Sequence, residues 1–384
     1  MEMIYLILGM SFERSALKVV LLGILVFFSS KSFAILEFED AAFPELVTSA
    51  RALAMGNSYM NKVDDAWSAF YNPAGLGTVR GFQFHLTNIH LETNNGFLDI
   101  TAGEGSYGDA VTNYQDAFSA DGLRTLMANN PGELSHARFQ MFPNITFRGL
   151  TIGYMYSQQN RGRLQTLESD FEIAERIDSG PVFALNLSLW GGVLKFGAAA
   201  VLLTRQEFQR DYGPTETISV DKETDYTGGT MTHITAGMRL TLPIFMIPTF
   251  SAVIRNSSDS EFSGEFNSGL PTAIPQTTDV GFSLTPFTGK NARWHLDFTA
   301  RDVGNAYDTV SSRRKFAFGT EFDLARMFFV RAGFGDGWGS GGVGVRNNEF
   351  IFDLTTYAVE VSTDPDAIRE KEDRRYALSI SYGF

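Results

Sequence analysis

The stretch Tyr376-Ala377-Leu378-Ser379-Ile380-Ser381-Tyr382-Gly383-Phe384 decides how this chain is read. Tyr376, Leu378, Ile380, Tyr382 and Phe384 are large and apolar, while the residues between them are small or polar. Alternate side chains of a strand point to opposite faces, so one face is greasy throughout and the other nearly bare. An apolar outside and a small, polar inside suit a strand of a transmembrane β-barrel. An edge strand of a soluble sandwich alternates as well, so this stretch taken alone leaves both readings open.

The rest of the chain bears on that choice. From Val79 onward the alternation recurs, with Phe82, Phe84 and Leu86 set against Gln83, His85 and Thr87, and Trp294, Leu296 and Phe298 set against His295, Asp297 and Thr299. About fourteen such strands can be counted, an even number as single-chain bacterial barrels require. Short turns fall at Arg148-Gly149, Gly191-Gly192, Pro243, Gly289, 323–326 and 347–348. Long polar loops fall between them, at 162–179, 211–229, 257–276, 304–312 and 362–373. Sorting of short turns to one end and long loops to the other is the barrel rule, and a sandwich has no reason for it. The expected fold is therefore all-β: an antiparallel transmembrane barrel over 79–384, with both termini on the periplasmic side. Residues 92–135 are too long for a plain loop. Val111, Tyr114 and Phe118 share one helical face, and Leu123, Leu126 and Met127 another. A helical lid over the mouth, a helix against the rim and an extra hairpin near 97–100 all remain open for it.

Composition excludes several classes. The 384 residues hold no cysteine, so disulfides and thiolate metal sites are ruled out. The net charge of -13 argues against a nucleic-acid partner. Thirty-four Phe, thirteen Tyr and thirty-seven Gly suit lipid-facing girdles and small lumen positions. Arg14 and Lys18, an apolar core from Val19 to Phe28, and Ser32-Phe33-Ala34 read as a signal peptide over 1–34, with translation starting at Met1 or Met10. That core is too short to span as a helix, which needs about twenty apolar residues.

Residues 35–78 do not alternate. They read as a short helix near Thr48 to Gly56 with a Thr or Ser cap, and a second over Asp64 to Tyr71 with an acidic cap, stopped by Asn72-Pro73-Ala74-Gly75. The run ARALAMGNSYMNKVDDAWSAFYNPAGLG, Ala50 to Gly77, resembles the N-terminal signature of the FadL-like outer-membrane transport family and its PorV-like relatives. Asn57 replaces a usual glycine of that signature, and Asn61-Lys62 replaces small apolar residues. The resemblance implies a hatch folded into the lumen over 35–78. Asp64, Asp65, Phe70, Tyr71, Asn72, Pro73, Ala74 and Gly75 would be its plug or gate residues. The closing strand, through Tyr376, Leu378, Ile380, Tyr382 and Phe384, resembles the signal that outer-membrane assembly reads.

No catalytic or metal constellation stands out. His85, His90, His136, His233 and His295 are scattered over separate strands without ligand spacing, and no cofactor fingerprint follows a strand. Alternation places Arg239, Arg255, Arg293, Asp297, Arg301, Lys315, Glu321, Arg331 and Arg375 in the lumen. Buried charges need partners, so a paired network, contacts to the plug and a substrate site are the alternatives.

Function is then expected from the resemblance. It implies an outer-membrane transporter for hydrophobic small molecules such as fatty acids, working by passive diffusion past the plug and not an enzyme. The PorV-like relatives imply a plugged barrel that conducts nothing and anchors a secreted or surface protein. Outer-membrane lipid and lipopolysaccharide are the surrounding partners on both readings.

Overall fold

Strands in lipid must pair every backbone group, which an open sheet cannot do at its edges. This sheet has no edges. The computed structural model describes residues 36–102, 112–113, 116–264, 269–289, 291–347, 349–362, 364 and 366–383. The signal segment, Val111, Tyr114 and Phe384 lie outside the described residues. Fifteen hydrogen-bonded segments form one antiparallel sheet, and two of them are halves of one broken strand, so the wall has fourteen strands. They are β1 (Phe82–Asn94), β2 (Leu134–Met141 and Asn144–Phe147), β3 (Leu150–Leu164), β4 (Phe171–Leu189), β5 (Leu194–Tyr212), β6 (Thr227–Thr241) and β7 (Thr249–Arg255). Then come β8 (Thr277–Thr288), β9 (Ala292–Ala300), β10 (Phe316–Leu324), β11 (Phe328–Gly335), β12 (Trp338–Arg346), β13 (Phe350–Glu360) and β14 (Glu372–Gly383). β14 closes on β1, with Leu378 opposite Leu91 and Ile380 opposite Ile89. Tyr376, Ile380 and Tyr382 point out and are exposed, while Arg375, Ala377, Ser379 and Ser381 point in and are buried.

Local irregularities have local causes. β2 breaks at Phe142-Pro143, because proline supplies no N–H to a ladder. Phe142 turns inward there and packs on Trp67 and Phe70, with ring centroids 5.9 and 5.0 Å away. In β1 a bulge between His85 and Thr87 shifts the register. It reverses the phase, so His90 and Glu92 point inward beyond it and are buried.

The wall is uneven in height. β4 and β5 each run 19 residues, whereas β7 has 7. The expected loop at 162–179 is mostly strand, for β3 and β4 leave only 165–170 between them. The hydrogen-bond ladder continues past the apolar band, where outward positions such as Gln158, Asn160 and Glu175 are polar and the hydropathy signal stops. A second departure is the connection from β11 to β12 at the loop end, a two-residue Asp336-Gly337 turn with positive φ at both residues (50° and 83°).

Two described helices lie in the 92–135 excursion, α3 (Asn95–Ala102) and α4 (Ala120–Asn129). A hairpin near 97–100 does not form. Ser119 caps α4 by accepting from Gly122 N. Leu123 and Met127 press on Gly162 of β3, and with Phe97 and Ile100 they join Phe171, Ile173, Phe208 and Tyr212 in one buried cluster. Those strand residues alternate with the lumen-facing ones, so both helices pack on the outer face of the tall side of the wall. They shield apolar strand surface at the loop end of the barrel.

The second buried cluster lies inside the ring. Residues 36–79 run through the lumen and press on inward glycines of the wall. A Cβ on Gly197 of β5 would come within 2.2 Å of the Pro73 carbonyl carbon, and one on Gly333 of β11 within 2.1 Å of Met55. Backbone meets backbone only because those side chains are missing. Gly197→Leu is therefore expected to unseat the Pro73 turn while leaving the sheet ladder intact, at an overpacking cost of ~1–3 kcal/mol. Limited proteolysis should then cut within 36–79 in a barrel that still migrates as folded on unheated gels.

Candidate functional site

The site is the interface between this inner segment and the wall. Its leading strap, 36–47, carries acidic residues that meet inward arginines on several strands. Glu39 pairs with Arg161 and with Arg375, the latter at 3.0 Å. Asp40 pairs with Arg176 at 2.7 Å, and Glu45 with Arg255 and Arg301 at 2.9 and 3.1 Å. The helix α1 (Ala50–Ala54) follows. Its expected side-chain cap is absent, for Ser49 makes no capping bond. Thr48 is instead engaged by the wall, its hydroxyl accepting from Gln140 Nε2 at 3.1 Å.

Arg51 is the hub. Its Nε and Nη2 donate to the two oxygens of Glu321, both at 2.7 Å, the bidentate fork that makes such pairs strong. Its Nη1 donates to Asp64 at 2.8 Å and to Tyr59 at 2.7 Å. Glu321 also accepts from Arg331, which continues to Asp353.

The expected plug residues are all gathered here. Asp65 accepts from Trp67 N at 3.1 Å and from the Tyr59 hydroxyl at 2.9 Å. The short helix α2 (Ser68–Tyr71) follows without the expected acidic cap, for its cap position is Trp67 and no side chain makes a capping bond. Phe70 is core. Tyr71 donates to Asn57 Oδ1 at 2.8 Å, so the residue standing where the resembling signature has glycine is structurally engaged. Asn72 accepts from Ala74 N at 3.0 Å, capping the 3-10 turn Pro73–Thr78, and donates to Met60 O at 3.2 Å. Asn186 of the wall donates to Ala74 O at 3.1 Å, and Gly75 is buried against Val63.

The expected lumen charges separate into three groups. Arg255, Arg301, Glu321 and Arg331 are ion-paired, as are Arg375 with Glu39 and Lys315 with Asp302. Arg239 takes carbonyls of the inner segment, donating to Val63 O at 3.0 Å and Met60 O at 2.9 Å. Asp297 accepts from Ser58 at 2.9 Å and Asn61 at 2.7 Å, and among the described residues it forms no ion pair. Arg293 forms none either and sits near the charges of Arg326 and Arg80 at the turn end.

Electrostatics of the inner segment follow from this pairing. Burial alone would raise the Glu45 carboxyl, but Arg301 and Arg255 more than offset it and hold it below the usual range. Glu39 is likewise lowered, burial being outweighed by Arg161 and Arg375. Asp64 is lowered, burial being outweighed chiefly by Arg51. Asp65 is raised, mainly by burial.

Sequence reasoning missed the strap acids, the Arg51 hub and the inward Arg138, Arg161, Arg176 and Arg205. It also missed a hydrogen-bonded order of Ser379, His90 and Glu92. Ser379 Oγ lies 2.8 Å from His90 Nδ1, and His90 Nε2 lies 3.3 Å from Glu92. His90 and Glu92 are buried, and Glu92 is further held by His136 and Tyr357. The neighbouring cavity, beside Arg51, Asp65, Trp67 and Ser379, has about 30 Å³, and a second, beside Glu45, Arg176 and Tyr307, about 20 Å³. Each holds a water or two and no acyl substrate.

On the outward face the wall carries a groove of about 570 Å³ lined by Phe250, Phe282, Phe298, Phe316, Phe318 and Phe334. Gly281 lines it too. A Cβ on Gly281 would lie 2.5 Å from Asn61 of the plug, so one thickness of backbone separates groove from plug.

No protein-family model and no curated protein matches the chain. FadL and TodX barrels are among its structural neighbours. A deletion mutant of the TodX monoaromatic hydrocarbon channel aligns with a TM-score of 0.47 at 10% identity, covering 88% of this chain and 98% of that one. A Pseudomonas aeruginosa FadL homologue aligns at 0.27 and 10% identity, covering 87% and 98%. CdiB from Acinetobacter baumannii aligns at 0.35 and 10% identity, covering 80% of this chain and 60% of that one.

Two outcomes follow. Glu321→Gln removes the charge that Arg51 and Arg331 share. Arg51 keeps Asp64 and Arg331 keeps Asp353, so the loss is that of charge-assisted hydrogen bonds, about 1.5–3 kcal/mol, read as a lowered denaturant midpoint and faster amide exchange in 50–65. Because Glu39, Glu45 and Asp64 have lowered carboxyl pKa values in the folded protein, their stabilisation is complete above about pH 4.5 and is lost as pH falls below it. Asp65 runs the other way. Amide protection of 36–79 should decline below about pH 4.5 as the three lowered carboxyls lose their advantage, and Asp65→Asn should remove the opposing gain that protonation of Asp65 gives as pH falls.

Proposed function

We propose that the protein is an outer-membrane β-barrel that passes hydrophobic small molecules, such as fatty acids, by passive diffusion, with 36–79 acting as its plug and the arrangement described being the closed one. The observation that carries this reading is Gly281. An apolar, phenylalanine-lined groove opens toward lipid on one side of it, and the plug residue Asn61 rests on the other. An apolar cargo partitions into such a groove from the membrane at little cost, and the barrier beyond it is plug packing. Asp64, Asp65 and the Asn72 to Gly75 turn would set that barrier. The termini lie on the periplasmic side, and the acidic loops face lipopolysaccharide. Proteoliposomes holding the protein should take up a fluorescent fatty acid faster than empty ones, with no uptake of a polar solute of similar size. Absence of uptake for every apolar ligand tried contradicts the proposal.

A second reading has its own support. The strap and Arg51 are fastened by buried ion pairs, and two interior cavities among the described residues hold only water-sized space. A barrel sealed in this way suits a platform that anchors a secreted or surface protein. Capture from intact membranes discriminates: a stoichiometric protein partner together with no uptake favours the platform.

A further inference from the structure

The turn between β6 and β7 is unlike the others at its end of the barrel. It reads Leu242-Pro243-Ile244-Phe245-Met246-Ile247-Pro248, whereas the turn between β2 and β3 is Arg148-Gly149 and that between β10 and β11 is Ala325-Arg326-Met327. Phe245 is 81% exposed and Ile244 60%. Met246 and Ile247 have φ of 63° and 44°, a region that a β-branched residue avoids. The turn is nevertheless pinned, with Thr285 N donating to Met246 O at 2.6 Å and Leu242 N to Pro248 O at 3.0 Å. Thr241 N donates to Val193 O at 2.8 Å, which places it beside the β4–β5 turn that carries Trp190, 76% exposed.

The reason lies in the height of the wall. β7 has 7 residues, which at ~3.4 Å each and a tilt of ~45° rise only about 17 Å. The apolar band of an outer-membrane barrel is about 25 Å tall. The deficit is not made up at the loop end. There β7 runs into Asn256-Ser257, and the outward side of β6 turns polar at Thr232 and Thr230, both exposed. The shortfall falls on the turn side, where Leu187, Leu189, Trp190, Ile244, Phe245 and Phe250 are all exposed.

We propose that the Leu242–Pro248 turn is sunk in the bilayer and completes the crossing that β7 is too short to make, with phospholipid acyl chains covering Ile244, Phe245 and Ile247. Trp190 then sits at the same boundary as an interfacial anchor. The inference rests on the barrel spanning a membrane and is independent of what, if anything, passes through it.

The chain has no cysteine, so single-cysteine variants can each carry one nitroxide in proteoliposomes. Phe245→Cys is compared with Leu185→Cys on the outward wall of β4 and with Arg148→Cys in the polar turn. The label at 245 should collide with oxygen as the one at 185 does. It should be shielded from a water-soluble nickel chelate several-fold relative to 148. Equal chelate access at 245 and 148 overturns the inference, and so does shielding from both quenchers, which would mean a protein cover. If 185 is lipid-exposed while 245 is not, the turn inference fails and the membrane barrel stands. If 185 is itself open to the chelate, both fail. Ile244→Cys serves in the same way should Phe245→Cys assemble poorly.

Discussion

Charge inside a closed ring of strands must be paired or hydrogen-bonded where it sits, because removing one partner of a buried pair leaves a penalty that packing cannot absorb. This lumen carries arginines on most of its strands, and the acids that answer them come partly from the wall and partly from the leading segment. Glu45 answers Arg255 and Arg301, Glu39 answers Arg161 and Arg375, and Asp40 answers Arg176. In return Arg51 of the segment answers Glu321 of the wall. Neither part is electrically complete without the other, so the inner segment is a structural component of the barrel before it is anything else.

Shape follows the same reciprocity. Inward glycines on the wall let the plug backbone approach at positions where any side chain would collide, as at Gly197 and Gly333. At Gly281 the same economy of atoms leaves the wall thin, with phenylalanines outside and a plug asparagine inside. Ion pairs and close backbone contacts therefore alternate around the ring, and the sector at Gly281 is set apart by the phenylalanines outside it. Both the transport and the platform readings start from that arrangement. They differ in whether thermal motion at Asn61 is ever large enough to matter.

Fold was legible because lipid imposes a two-residue period on hydropathy, and Tyr376 to Tyr382 show it plainly. Legibility ended where lipid ended. Arg161 and Arg176 point inward where the outward face mixes Asn160 and Glu175 with Ile173 and Ile177, so the alternation there is too weak to read as strand. Phase was also lost at the bulge near Leu86, which hid Glu92 and His90 among the inward residues, and the break at Pro143 concealed Phe142. Of the plug, the motif from Ala50 to Gly77 was visible, and Asn72 caps its turn as its residue type suggests. The strap acids carry no local pattern. Glu39, Asp40 and Glu45 acquire meaning only from arginines more than a hundred residues away.

The central claim is that 36–79 lies within the ring and touches the wall at defined residues. Ser58 Oγ and Thr299 Oγ1 are 2.9 Å apart, and the chain has no other thiol to compete. A Ser58→Cys/Thr299→Cys variant in native membranes should form its disulfide nearly quantitatively under mild oxidation, seen as a mobility shift that reductant reverses. Two free thiols that both react with a bulky water-soluble maleimide, and do not cross-link, would contradict the account.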